Sequence, residues 1–252
     1  MEPLNLDGPM RRIAAKHGID LTKLNINQVL ENRDQREEQE SIKFTKMNNR
    51  IKRRRLYDSS LISDCDDLEQ TFMDFKVIDD IQSVELSKAK NIASRIINGE
   101  IGNFTFSGRA GSGKTMLAIS ILNKILENDD SLSCYFVSFS MLLNMTLDGM
   151  KDSGMKQESW GVENCIKHCD VLVLDDLGSE TAMKAETREA TDYTQSLLFR
   201  LADYRKNKTN IVTTNNSSKE LQSIYNPKIY SRLIAKKADN AIRFDSRDMR
   251  NI

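Results

Sequence analysis

This sequence has no net charge to announce a partner. Lysine plus arginine number 37 and aspartate plus glutamate number 37 in a chain of 252 residues, so any nucleic-acid surface has to come from local clustering. A run of about 18 apolar residues, the length that crosses a membrane, is also missing, and no membrane partner is expected. The opening Met1-Glu2-Pro3-Leu4-Asn5 lacks the basic-then-apolar form of a signal peptide. Cysteine is scarce: four residues, scattered, with none of the dense spacing of a disulfide framework. Cys165 and Cys169 with His168 make too thin a set for zinc, which favours four ligands, and their spacing of four is also helical spacing. No internal repeat is found. These absences exclude membrane-spanning and disulfide-scaffold classes, and the expectation is a cytoplasmic protein of one or two domains with a substantial core.

What is present centres on Ser107-Gly108-Arg109-Ala110-Gly111-Ser112-Gly113-Lys114-Thr115. It fits the Gly-x4-Gly-Lys-Thr phosphate-binding pattern, with Gly108 and Gly113 as outer glycines. Residues Asn103 to Phe106 read as a strand feeding the loop, and Met116 to Glu127 as a helix leaving it. Glycines let consecutive N–H groups turn inward around phosphate oxygens, and the helix N-terminus adds positive partial charge. Lys114 can reach the β- and γ-phosphates of ATP, and Thr115 can offer its hydroxyl to Mg²⁺.

Residues 1–70 read as a small, mostly helical, charged segment with a linker, and 71–252 as the main domain. Pro9 to His17 suits a short helix, and a second starts near Asn25 or Asn27. From Glu31 to Arg55 apolar residues are sparse, which suits a solvated helix, a partner-binding helix or an arm. Its Arg50-Ile51-Lys52-Arg53-Arg54-Arg55 cluster could track a nucleic-acid backbone or be a solvated face. Leu56 to Asp80 reads as a linker, with Phe72 and Phe75 either beside a nucleotide base or in the core. Helices are expected over Glu85–Asn98, Met141–Met150, Trp160–His168, Tyr193–Tyr204 and Lys228–Lys237, and strands over Cys134–Val137, Val171–Leu174, Asn210–Thr213 and Ala241–Phe244. Lys151–Glu158 reads as a loop, and Ser179–Arg188 as polar and mobile. The alternation predicts an α/β fold with a five-stranded parallel sheet.

The chemistry follows the strands. Val171 to Leu174 is an apolar run ending in Asp175-Asp176, a Walker B element in which Asp175 holds Mg²⁺ and Asp176 polarises the attacking water. Ligands of such sheets bind where strands end at their carboxyl termini. Asn215, after the fourth strand, would face the γ-phosphate there or simply form a turn. Arg232 could reach across an interface to a neighbour's nucleotide, or be a surface arginine. Arg250 is a candidate for reading the nucleotide in its own subunit. No arginine-rich lid follows the phosphate loop, which argues against a small-molecule kinase.

Over about residues 71–252 these motifs resemble the AAA+ ATPases of the DnaC/DnaI helicase-loader group and their transposition relative IstB. The markers are Thr71-Phe72 with Phe75, Gly108 to Thr115, Asp175-Asp176-Leu177-Gly178-Ser179-Glu180, Ile211 to Asn215, Ser231-Arg232-Leu233 and Phe244 to Arg250. The resemblance implies an AAA+ P-loop NTPase using ATP/ADP and Mg²⁺, with Asn215 as sensor 1, Arg232 as arginine finger and Arg250 as sensor 2. It implies a hexameric replicative DNA helicase and single-stranded DNA as partners, self-association through the AAA+ domains, and an N-terminal helicase-binding segment. The alternative it leaves open is an IstB-like ATPase regulating a transposase on duplex DNA.

Overall fold

The structure, a computed structural model, describes residues 8–18, 26–128, 131–182 and 189–246. It divides into two compact units, residues 1–48 and 49–252. The first carries α1 (Gly8–Lys16) and the larger part of α2 (Ile26–Asp58). Charged and amide side chains dominate α2, and its Phe44 and Met47, three residues apart on one helix face, are 62% and 53% exposed.

The second unit is a five-stranded sheet in the order β2-β3-β4-β1-β5, with every neighbouring pair parallel. The strands are β1 (Asn103–Gly108), β2 (Cys134–Ser138), β3 (Val171–Asp175), β4 (Thr209–Thr214) and β5 (Ala241–Phe244). Around them lie α3 (Asp80–Ile97), α4 (Lys114–Asn128), α5 (Phe139–Asp148), α6 (Ser153–His168), α7 (Ser179–Ala182), α8 (Asp192–Tyr204), α9 (Ser218–Ile224) and α10 (Pro227–Leu233).

Strand side chains alternate between two cores, as the pleat requires. Phe104, Phe106, Phe136, Val171, Val173 and Ile211 face α3 and α4, while Tyr135, Val137, Leu172, Leu174 and Val212 face α5, α6 and α8 to α10. Burial on both faces explains why β2 and β3 read as apolar runs. Tyr57, Leu68 and Phe75 join the first core, so residues 49–70 pack within the larger unit, and Phe75 is a core residue rather than a base-stacking one. Of the basic cluster, Arg53 is buried and donates to the Leu132 carbonyl at 3.2 Å, whereas Arg50, Lys52 and Arg55 are exposed.

Several elements differ from the sequence expectation, each for a local reason. Lys151–Glu158 is not a loop: α6 already starts at Ser153, because Asp152 caps it by accepting from the Gly154 N–H at 2.7 Å. The expected helix over Lys228–Lys237 stops at Leu233, where the chain extends and the Ala235 N–H donates to Thr105 Oγ1 at 2.9 Å. The linker over Leu56–Asp80 holds the end of α2 and a 3-10 turn over Cys65–Glu69. The unforeseen α9 carries a capping box from Ser217 and Glu220. The polar stretch from Ser179 opens as α7, and positions 183–188 lie outside the described residues.

Candidate nucleotide site

Parallel pairing aligns the carboxyl ends of β3, β4 and β1 side by side. The phosphate loop leaves β1, Asp175-Asp176 leaves β3, and Asn215 leaves β4, so three segments distant in sequence converge on one edge. Gly108 is where β1 bends away, with φ +144, and a Cβ on it would lie 2.1 Å from the Phe244 carbonyl oxygen of β5. Only glycine lets the two strands approach this closely. Inside the loop, Ser112 is buried and donates to the Arg109 carbonyl at 2.7 Å, which closes the turn on itself.

The side chains meet directly. Lys114 Nζ donates to Asn215 Oδ1 at 2.9 Å, and to the carbonyls of Arg109 at 2.6 Å and Gly108 at 3.1 Å. Thr115 Oγ1 donates to Asp175 Oδ1 at 2.8 Å. Asn215 Nδ2 donates to Asp176 Oδ1 at 2.9 Å. Asp176 has a left-handed backbone, φ +56, unusual outside glycine, and the structure around it holds that conformation in place. Burial pushes the Asp175 carboxyl up, while the hydroxyls of Thr213 and Thr115 pull it back down.

A cleft of about 620 Å³ opens over this edge, a size suited to a nucleotide. Ala110, Gly111, Gly113, Lys114, Thr115, Asp175, Asp176 and Asn215 all line it. The oxygens gathered here are the hydroxyls of Thr115 and Thr213 and the carboxylates of Asp175 and Asp176, hard oxygens of the kind Mg²⁺ takes. A buried carboxylate whose charge is disfavoured is also the group a cation relieves, so the residues present fit Mg²⁺ at Thr115 and Asp175.

One of the expected site residues, Arg232, lies elsewhere. Arg232, on α10, has its carbonyl bound by Asn103 Nδ2 at 2.6 Å, at the start of β1. It therefore sits at the amino edge of the sheet, roughly 17 Å of strand from the phosphate loop. Its guanidinium pairs with Asp203 at 3.2 Å and lies 4.6 Å from the centre of the Phe199 ring. Arg250 falls outside the described residues.

Three residues at the site were not foreseen. Thr213 donates to Asp175 Oδ1 at 2.6 Å and accepts from the Asp176 N–H at 2.9 Å, so one hydroxyl holds the Asp175 carboxylate and the Asp176 backbone. Asp67 and Gln70 form part of the cleft wall, joined by a 2.7 Å hydrogen bond from Gln70 Nε2 to Asp67 Oδ1. Thr213 was signalled by its place one residue before the strand end beside Asp175. Nothing local marks Asp67 or Gln70, which reach the cleft by tertiary packing.

Residues 17–232 match the family described as IstB-like ATP binding protein. The replicative helicase loader DnaC of Escherichia coli (strain K12) is 26% identical over 166 residues, 65% of this chain and 62% of that protein. An uncharacterized protein of the same organism, YdaV, is 34% identical over 116 residues, 46% of this chain and 44% of its own. The chain thus spans less than two thirds of the length of these relatives. Among solved structures, DnaI superposes with a TM-score of 0.56 at 20% identity, covering 73% of this chain and 95% of that one. Domain III of the Thermotoga maritima replication initiation protein DnaA gives a TM-score of 0.53 at 22% identity, over 71% of this chain and 68% of that one. At these identities the superpositions speak for a shared fold.

Proposed function

This chain belongs to the IstB-like ATP binding protein family, and on that premise we propose that it is an ATP-dependent loader of a hexameric replicative DNA helicase onto single-stranded DNA. The observation that carries the reading is the convergence of Lys114, Thr115, Asp175, Asp176 and Asn215 on one cleft through direct hydrogen bonds. The likeness to DnaC supports the loader role.

On this reading the backbone of Gly108 to Thr115 cradles the phosphates and Lys114 neutralises them. Thr115 and Asp175 would hold Mg²⁺, which would supply positive charge to offset that of the phosphate oxygens. Asp176, oriented by Asn215 and by its constrained backbone, polarises the attacking water. Asn215 touches both Asp176 and Lys114, so it is placed to sense whether the γ-phosphate is there. Arg232 faces away from its own phosphate loop, which suits a finger for a neighbour's nucleotide and head-to-tail self-association. ATP then acts as a switch of packing between subunits. Within the N-terminal segment over residues 1–70, Phe44 and Met47 offer exposed apolar anchors for the helicase.

The test is light scattering of the full chain mixed with a hexameric replicative helicase, with and without ATP and Mg²⁺. A co-complex is expected, and it should be lost when Phe44 and Met47 are both changed to Asp, since both are exposed and the fold does not need them. No complex in any nucleotide state would reject the loader reading. The family match favours one alternative, an ATPase that regulates a transposase, and assembly on duplex DNA without helicase binding would select it.

A further inference from the structure

Glu180 and Tyr225 play no part in the phosphate chemistry above, yet they join its two halves. The first half is the loop after β3. Leu177 N–H donates to the Thr213 carbonyl at 2.9 Å, and Gly178 turns with φ +96. A Cβ on Gly178 would fall 2.1 Å from Asn216 Nδ2, next to Asn215. The Gly178 N–H donates to Glu180 Oε2 at 3.0 Å. The Glu180 carboxylate therefore rides on the same tight loop that sets Asp176.

The second half is the unit around Arg232. Tyr225 lies between α9 and α10 and is followed by Asn226, which caps α10 by accepting from the Lys228 N–H at 3.0 Å. Gln195 of α8 grips this junction from both sides. Its Nε2 donates to the Ile224 carbonyl at 3.2 Å, and its Oε1 accepts from the Asn226 N–H at 3.0 Å. The same α8 supplies Phe199 and Asp203, the two side chains that hold Arg232. Tyr225 is only 3% exposed and packs in one core with Ile229 and Leu233 of α10.

The hydroxyl of Tyr225 donates to Glu180 Oε1 and so joins the halves. Burial, and next the adjacent Glu180 carboxylate, push the Tyr225 phenol far above its usual range, so it stays a donor. Burial likewise raises the Glu180 carboxyl. Displacement of the Asp176 loop must carry Tyr225 and the start of α10 with it, or break this part-buried hydrogen bond and leave its donor and acceptor unpaired.

We propose that the Tyr225–Glu180 hydrogen bond is the positioning link through which the state of the Asp176–Asn215 site reaches α10 and Arg232. The inference rests on the proposed nucleotide role of that site, and it assigns Tyr225 and Glu180 a coupling role instead of a chemical one.

The experiment compares the full-length wild type with Tyr225→Phe, which removes one oxygen and keeps the buried ring. Three readouts are taken: affinity for a fluorescent ATP analogue, ATP-dependent amide exchange across residues 225–233, and ATP-dependent self-association. The variant is expected to bind nucleotide within about twofold of wild type while ATP no longer changes exchange over 225–233. The ATP enhancement of self-association should fall at least about fivefold, the low end of a typical coupling. Adding Glu180→Ala, which removes the acceptor, to Tyr225→Phe should bring no further loss of coupling, and Glu180→Ala alone serves if Tyr225→Phe does not fold. An unchanged exchange response in the variants overturns the link, and so does a wild type that binds ATP without any response at 225–233. A wild type that shows the exchange response but never self-associates sinks the loader reading and leaves the link standing. A wild type that does not bind ATP overturns both.

Discussion

Glu85 of α3 is a carboxylate with only half of its acceptors used. It is 2% exposed, its Oε1 accepts from the N–H groups of Asp245 at 3.0 Å and Ser246 at 3.4 Å, and its Oε2 has no hydrogen-bond partner among the described residues. Burial raises its pKa above the ordinary glutamate value of about 4.5. From that value up to the raised one, the folded state binds more protons than the unfolded chain, so stability falls as pH rises through the window. Glu85→Gln keeps the Oε1 acceptor and removes the titration. Urea melts at a series of pH values from about 4.5 upward should show wild-type stability declining more steeply than that of the variant. Parallel slopes would mean that Glu85 does not carry the effect. Arg205 teaches a related lesson at the same scale. Between Tyr204 and Lys206 it looks like a surface base, yet it is 1% exposed, and its guanidinium donates to Asn210 Oδ1 at 2.8 Å and to the carbonyls of Ile166, Cys169, Asp170 and Thr209. A charge is buried there because every donor finds an acceptor where α6 and α8 hand over to β3 and β4.

At the scale of elements, the segment over Cys65–Glu69 depends on α4. Asn123 of α4 donates to the carbonyls of Leu68 at 2.7 Å and Gln70 at 2.8 Å, and the Tyr57 hydroxyl also donates to Leu68 O at 3.0 Å. These bonds hold Asp67 and Gln70 in the cleft wall. Asn123→Ala removes the donor to the Gln70 carbonyl, at a cost of about 1–3 kcal/mol where that oxygen stays buried, while Leu68 keeps its bond from Tyr57. The expected result is a weaker grip on nucleotide, measured by titration with a fluorescent ATP analogue, with Lys114 and Asp175 untouched. Unchanged affinity would show that this wall does not contact nucleotide. Elements were legible where apolar spacing marked them, as in α3, α4, α8 and the strands. The first part of α6 and all of α9 were missed, because there a cap decided, at Asp152 and at Ser217.

For the molecule as a whole, the proposed reading splits one reaction between two subunits. On that reading Lys114 would serve its own nucleotide and Arg232, at the opposite edge of the sheet, a neighbour's. Lys114→Ala and Arg232→Ala should each abolish most ATP hydrolysis. Mixed in equal amounts, they should restore activity, because roughly a quarter of head-to-tail interfaces then pair an intact Lys114 with an intact Arg232. Phosphate release assays on the two variants, separate and mixed, check this. Absence of complementation would place the action of Arg232 within its own chain.

The sequence alone determined the α/β class, the parallel sheet, the phosphate loop and the paired aspartates that end β3. Those features are local. Glycines at fixed spacing, buried strands written as apolar runs, and acids at a strand end are each legible within ten residues or so. Tertiary structure decided what depends on neighbours distant in sequence. It placed Arg232 at the far edge, brought Asp67 and Gln70 to the cleft, joined Thr213 to the Asp175 carboxylate and the Asp176 backbone, and tied Tyr225 to Glu180. The physical reason is that a hydroxyl, an amide or a guanidinium has no pattern of its own in a sequence. Its role is set by the partner that folding brings within about 3 Å of it.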